Sequence, residues 1–180
     1  MPGEPDHPPD SPDAALARRA ATDPDAFRTL YLHHRDFVYR VARRYSATDE
    51  DALDAAQDTF IYLLRKLPTL RLTGKLTTYL YPIAKNTALA RARAARRTHT
   101  GISLPPASSS ATPTTDPDLA AALARLADDL REVLIMRVVE NMSVDEVATA
   151  LDIPTGTVKS RLHNALAALR EDPRLRHLLP

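Results

Sequence analysis

No cysteine occurs among the 180 residues, which excludes disulfides and any zinc site built on thiolates. Aromatic residues make up only 5% and tryptophan is absent. Apolar runs such as Phe60 to Leu64 and Val133 to Met136 fall far short of the roughly 20 residues that a membrane span requires. The Pro- and Asp-rich N-terminal stretch has no apolar centre, so it does not read as a secretory leader. No membrane insertion is expected, and the cytoplasm is the expected compartment. One further absence is local. Residues 71–100 carry Arg71, Lys75, Lys85, Arg91, Arg93, Arg96 and Arg97 with no Asp or Glu, a net +7.

The whole chain sums to only +1, which hides this segregation. Residues 1–26 sum to −4, 27–70 to +1, 101–154 to −6 and 155–180 to +3. Basic residues at helix C-termini favour the helix dipole, but that accounts for one or two arginines and not for seven cations without an acid. Two basic patches separated by an acidic segment point to two nucleic-acid contacts.

The length allows one or two small domains, and an apolar fraction of 44% is enough for a core. Apolar residues recur at helical spacing and no strand-like alternation stands out. The fold class expected is all-α: two small helical domains joined by a flexible linker. Residues 1–12, with five prolines, are expected to be disordered. A first domain spans 13–97. It holds a short helix near 13–22, a helix from Asp25 to Tyr45, a helix from Glu50 to Leu67 with a cap signal at Thr48 and Asp51, and a basic helix from Lys75 to Arg97. Pro82 should kink that last helix or delay its regular start. Residues 98–117 hold thirteen Ser, Thr or Pro out of twenty and read as linker. A second domain spans 118–172, opening with helices Asp118–Leu126 and Asp129–Glu140, and residues 173–180 form a tail.

The stretch SVDEVATALDIPTGTVKSRLHNALAALRE, Ser143 to Glu171, reads as a helix-turn-helix. Ser143 and Glu146 have capping-box spacing. Val144, Val147, Ala148 and Leu151 form one apolar face. Ile153-Pro154 should end the first helix, and Gly156 lets two helices or a DNA backbone approach closely. On the second helix Val158, Leu162, Ala165, Leu166 and Leu169 form an apolar stripe. Thr157, Ser160, His163 and Asn164 point the other way, flanked by Lys159 and Arg161. Ser, Thr and Asn hydrogen-bond base edges, and Lys and Arg suit phosphates. An ordinary amphipathic surface helix is the alternative for the second helix taken alone. The cap, turn and glycine together favour one that enters the DNA major groove.

With these residues in place, the chain resembles a bacterial RNA polymerase sigma factor of the extracytoplasmic-function type. LREVLIMRVVENMSVDEVATALDIPTGTVKSRLHNALAALRE resembles the domain that reads the upstream promoter element. DPDAFRTLYLHHRDFVYRVARRY resembles the opening helix of the family's second conserved region. DALDAAQDTFIYLLRKL resembles the helix that docks on the polymerase clamp, and LTTYLYPIAKNTALARARAARR the helix that melts and reads the downstream element. Family members usually carry a tryptophan near Tyr79 and larger apolar residues at Ala55 and Ala56.

The resemblance implies core RNA polymerase and promoter DNA as partners, leaves room for an anti-sigma factor, and implies neither catalysis nor a cofactor or metal. On that reading Lys75, Lys85, Arg91 and Arg93 line the DNA backbone, Tyr79 and Tyr81 offer flat faces to unstacked bases, and Thr77, Thr78 and Asn86 offer hydrogen bonds. Stacking is worth roughly 1–3 kcal/mol per base. Core packing is the alternative for both tyrosines. Asp54, Gln57 and Asp58 share one helix face, which by resemblance meets the clamp and otherwise is a solvated acidic face. Twenty extended residues span at most about 66–72 Å, enough for both domains to reach promoter boxes roughly 50–70 Å apart. A regulator using only its helix-turn-helix would leave Lys75 to Arg97 unexplained. A metal phosphohydrolase built on His33, His34 and Asp36 is disfavoured, because adjacent histidines diverge by about 100° on a helix.

Overall fold

The computed structural model of the protein describes residues 12–98 and 116–175. Among these residues the backbone forms eight α-helices, two one-turn 3₁₀ segments and no strand. The expectations placed on residues 1–11, on most of the linker and on the last five residues lie outside the described residues. The first domain comprises α1 (Pro12–Ala20), α2 (Pro24–Tyr45), α3 (Asp49–Lys66) and α4 (Leu76–Thr98). The second comprises α5 (Pro117–Arg125), α6 (Asp128–Val138), α7 (Val144–Leu151) and α8 (Thr155–Glu171).

Local chemistry sets most helix starts. Asp23 caps α2 by accepting from the backbone N–H of Asp25 and Ala26, with Pro24 in the first turn, where its missing N–H costs nothing. Thr48 accepts from the Asp51 N–H at 3.0 Å, and Asp116 caps α5 in the same way. The capping box at α7 is complete: Ser143 Oγ accepts from the Glu146 N–H at 3.1 Å, and Glu146 Oε2 accepts from the Ser143 N–H at 2.7 Å. Each such cap is worth about 1 kcal/mol.

Helices α2, α3 and α4 pack on one another, with α1 laid across α2. Leu30, Val38 and Val41 of α2, Leu63 of α3, and Leu76, Leu80 and Tyr81 of α4 are fully buried. A separate cluster of Ala42, Ala52, Ala55 and Ala88 joins the same three helices, with Tyr39 and Tyr45 packed against it. This is how the chain accommodates alanine at position 55. Helix α1 also caps α4: Asp13 Oδ2 accepts from the Leu76 N–H at 2.9 Å. Helix α4 begins at Leu76, so Pro82, which lies inside it, does not delay its start.

The end of α7 differs from the expectation. The helix stops because Asp152 adopts a left-handed conformation, φ 53° and ψ 49°, two residues ahead of the proline. The Ile153 N–H returns to the Ala148 carbonyl at 3.0 Å, which closes the helix end. Pro154 instead precedes the first residue of α8.

The two domains are not held apart. Helix α7 lies against α4, and one continuous apolar cluster contains Leu80, Tyr81 and Ala84 of the first domain together with Met136, Met142 and Val147 of the second.

Two substitutions test this packing. Ala55→Leu should destabilise the first domain by about 1–3 kcal/mol through overpacking, read as a lowered urea midpoint at unchanged slope. Asp152→Gly should raise stability by about 1 kcal/mol, because glycine adopts the left-handed region without the side-chain clash; an unchanged or lower melting temperature would contradict the role given to this turn.

Candidate nucleic-acid interface

Helix α8 turns Val158 and Ala165 into the core, with Leu162 and Leu169 packed beside them. Its outer side is polar. Lys159, Ser160, His163 and Asn164 are exposed, and Thr157 is half-buried. Ser160 Oγ donates to the Thr157 carbonyl at 3.0 Å, a weak local bond that a base edge could replace. Arg161 is differently placed: its Nε lies 3.2 Å from Asp129 Oδ2 of α6, so it braces α8 as well as lying near the polar face. A side chain at Gly156 would meet no atom within 4 Å. Its smallness therefore serves no contact among the described residues, and the close helix–helix approach expected of it is not found.

The first domain presents a second basic element. Arg93, Arg96 and Arg97 are exposed along the end of α4, and Asn86 is exposed on its middle turns. Tyr79 is half-buried at a cavity of about 440 Å³ that it shares with Tyr62, Arg71, Lys75 and Thr78. Burial, with Tyr62 close by, raises the Tyr79 phenol above its ordinary value. Thr77 is half-buried, and Thr78 Oγ1 is buried with no hydrogen-bond partner.

Five of the expected site residues are engaged within the chain, contrary to what the sequence suggested. Tyr81 is fully buried. Its hydroxyl lies 3.2 Å from that of Tyr45 and donates to Glu132 Oε1 at 2.8 Å, so in this arrangement it is a core residue and offers no face to a base. Asp54 and Asp58 do not form a free acidic face. Both pair with Arg91 of α4, Asp58 Oδ2 at 2.9 Å from Nη1 and Asp54 on Nη2, because two residues four apart lie on the same helix face one turn from each other. Arg91 is correspondingly spent within the domain. Lys85 is also paired, 2.6 Å from Glu132 Oε1.

Of the three expected docking residues on α3, Gln57 is exposed. It lines a groove of about 710 Å³ between α2 and α3 with Tyr31, Leu53, Phe60, Ile61 and Leu64. Leu53 is 60% exposed, and Tyr31, Ile61 and Leu64 between 39% and 49%. An exposed apolar strip of this kind marks an interaction surface. It carries no charge pattern. The signal was the run Phe60 to Leu64, which is apolar on every side of the helix and so cannot all be buried by one neighbour. His33 is exposed while His34 is buried beside Asp13, so the two imidazoles do not converge.

A helix-turn-helix with a polar outer face, a second basic helical module and a separate exposed apolar strip are the features of a DNA-binding protein with a further interaction surface. The Sigma-70 region 2 model matches residues 30–98 and the Sigma-70 region 4 model residues 118–169. The chain is 33% identical over 158 residues to the ECF RNA polymerase sigma factor SigM of Mycobacterium tuberculosis, covering 86% of this chain and 80% of that one. It is 25% identical to SigW of Bacillus subtilis, covering 84% and 91%. It is 31% identical to SigE of Mycolicibacterium smegmatis, of which it spans 59%. Among solved structures, CnrH in complex with the cytosolic domain of CnrY superposes with a TM-score of 0.64 at 24% identity, covering 88% of this chain and 94% of that one. The sigma factor RpoE of Bartonella quintana, bound to the anti-sigma factor NepR, gives 0.63 at 24%, covering 81% and 94%. The protein belongs to the extracytoplasmic-function family of RNA polymerase sigma factors.

Lys159→Ala should weaken DNA binding about equally across sequences and reduce the slope of log affinity against log salt by about 0.9, as loss of one phosphate contact does. Asn164→Ala should instead change which upstream sequence is preferred in a selected library; an unchanged preference would remove Asn164 from base reading.

Proposed function

We propose that this chain is a non-catalytic cytoplasmic subunit that directs core RNA polymerase to promoters through three surfaces. Helix α8 reads the upstream element: Ser160, His163 and Asn164 face base edges, and Lys159 and Thr157 face the backbone. The cavity beside Tyr79, with Lys75 at its rim and Asn86 and Arg93 further along α4, takes unstacked bases of the downstream element. The groove between α2 and α3 docks on the polymerase clamp through Leu53, Gln57, Ile61 and Leu64.

The observation that carries this reading is the placement of charge and apolar surface on different sides of one small domain. The basic α4 holds DNA without competing for the strip that the polymerase would cover. Flipping a base costs a few kcal/mol, comparable with one stacking contact. Melting therefore needs the polymerase to hold the duplex while Tyr79 captures a base, which is why docking and reading belong on the same module. An anti-sigma partner fits the same picture, since the Bartonella relative is held by one.

Association with core polymerase tests the reading. Leu53→Asp combined with Ile61→Asp should lower the affinity for core enzyme at least tenfold at unchanged helical content, since a charge would be buried without a partner. Undiminished association would move the docking surface elsewhere.

A further inference from the structure

The cavity beside Tyr79 offers more chemistry than an unpaired promoter base uses. Its volume of about 440 Å³ falls within the range of small-ligand sites, which favour places where two domains meet. Arg71 and Lys75 line it from the loop ahead of α4, and Asp145 and Glu146 line it from α7. These four charges are not equivalent. Lys75 Nζ lies 3.0 Å from Glu146 Oε1, and Glu146 also completes the cap of α7, so those two side chains are occupied. Arg71 and Asp145 are exposed, and neither side chain has an ion-pair or hydrogen-bond partner among the described residues.

Thr78 adds polar groups without their usual partners. Threonines in other helices return the hydroxyl to the carbonyl four residues back: Thr29 to Asp25 at 2.9 Å, Thr59 to Ala55 at 2.7 Å and Thr149 to Asp145 at 2.9 Å. Thr78 does not, because the residue four before it, Gly74, lies in the loop ahead of α4. Its Oγ1 is buried with no hydrogen-bond partner among the described residues. Its carbonyl lacks the ordinary helical donor as well, since the residue four ahead is Pro82, which has no N–H. Both residues line the cavity.

An unpaired guanidinium, an unpaired carboxylate, a buried hydroxyl and the half-buried ring of Tyr79 thus line one cavity. We propose that this cavity binds a free guanine nucleotide. The guanidinium suits a phosphate, to which it presents two parallel N–H groups. The ring suits the face of a base. An ionised carboxylate only accepts hydrogen bonds, so it selects a base edge with two adjacent N–H donors. Guanine has that edge, in N1–H and the 2-amino group. Adenine, cytosine and thymine each set a donor beside an acceptor, which would turn a lone pair toward Asp145. Thr78 is left for a ribose hydroxyl, which both donates and accepts. The four charged side chains sum to zero and leave one cation for one phosphate group, whereas a nucleic-acid strand brings a charge at every nucleotide. The inference therefore does not rest on the promoter reading. On that reading, the nucleotide and an unpaired promoter base compete for Tyr79.

Calorimetric titration of the full chain with GMP, AMP and guanosine tests this. GMP should bind at least tenfold more tightly than either of the others. Arg71→Ala should remove the advantage of GMP over guanosine and keep that over AMP. Asp145→Asn gives the sharpest readout. Its carboxamide sets one acceptor beside one donor, which fits xanthine, where a carbonyl replaces the 2-amino group of guanine. The variant should therefore prefer xanthosine monophosphate to GMP, the reverse of the wild-type order. Both positions are exposed, so neither change disturbs the core. No binding of GMP, equal affinity for GMP and AMP, or an unchanged order in Asp145→Asn overturns the proposal. So does a single-stranded oligonucleotide with one guanine that binds where GMP does not, since the ligand is then a strand. GMP that binds as expected but leaves a downstream-element oligonucleotide undisplaced upholds the proposal, and it is then the promoter base that belongs elsewhere.

Discussion

Seven cations on thirty residues with no acid among them need counter-charges from somewhere else, and the architecture is largely the set of answers. Arg91 finds Asp54 and Asp58 on α3, which staples the two helices that carry the exposed apolar strip and the basic face. Lys85 and Lys75 find Glu132 and Glu146 on the second domain. Arg93, Arg96 and Arg97 remain exposed at the end of α4, where a polyanion can reach them. The more exposed of these pairs, such as that of Arg91 with Asp54, are worth little individually. Their importance lies in which groups they leave available, because a lysine already paired with a carboxylate must give up that partner to take a phosphate.

The apolar side of the same helix sets its position. Leu76, Leu80, Ala84 and Ala88 recur at helical spacing and are all buried, and the alanine cluster shared with α2 and α3 allows a close approach. Asp13 ties down the first N–H of α4 from α1. Tyr79, one turn in, is thereby held at a fixed place beside its cavity. On the proposed reading Tyr79 stacks on an unpaired base, and a support beneath a half-buried ring suits that role.

Much of this was legible in the sequence, and the reason is local. Caps, helix faces and the helix-turn-helix depend on residues three or four apart, and Thr48, Ser143 and Val158 behave as their spacing implies. What could not be read depends on distant partners. Tyr81 looks like Tyr79 in sequence, yet Tyr45 and Glu132, 36 and 51 residues away, make it a core residue. Asp54 and Asp58 looked like a free acidic face because Arg91 lies a helix away. Leu53 and Ile61 have no distinguishing local pattern, because an exposed apolar residue on an amphipathic helix looks like a core residue until its neighbours are known. The left-handed Asp152 was hidden by the more conspicuous proline. The closure of one domain on the other has no local signature at all, although the acidic segment that performs it was visible as a run of charge.

The central claim is that this chain confers promoter choice on a polymerase that lacks it. Core enzyme reconstituted with the full chain and given fragmented genomic DNA of the source bacterium tests this most directly, with the 5′ ends of the run-off transcripts read by sequencing. The expected result is a small set of discrete start sites, absent with core enzyme alone, that share two short sequence elements at fixed spacing. Start sites no more discrete than those of core enzyme alone would contradict the account.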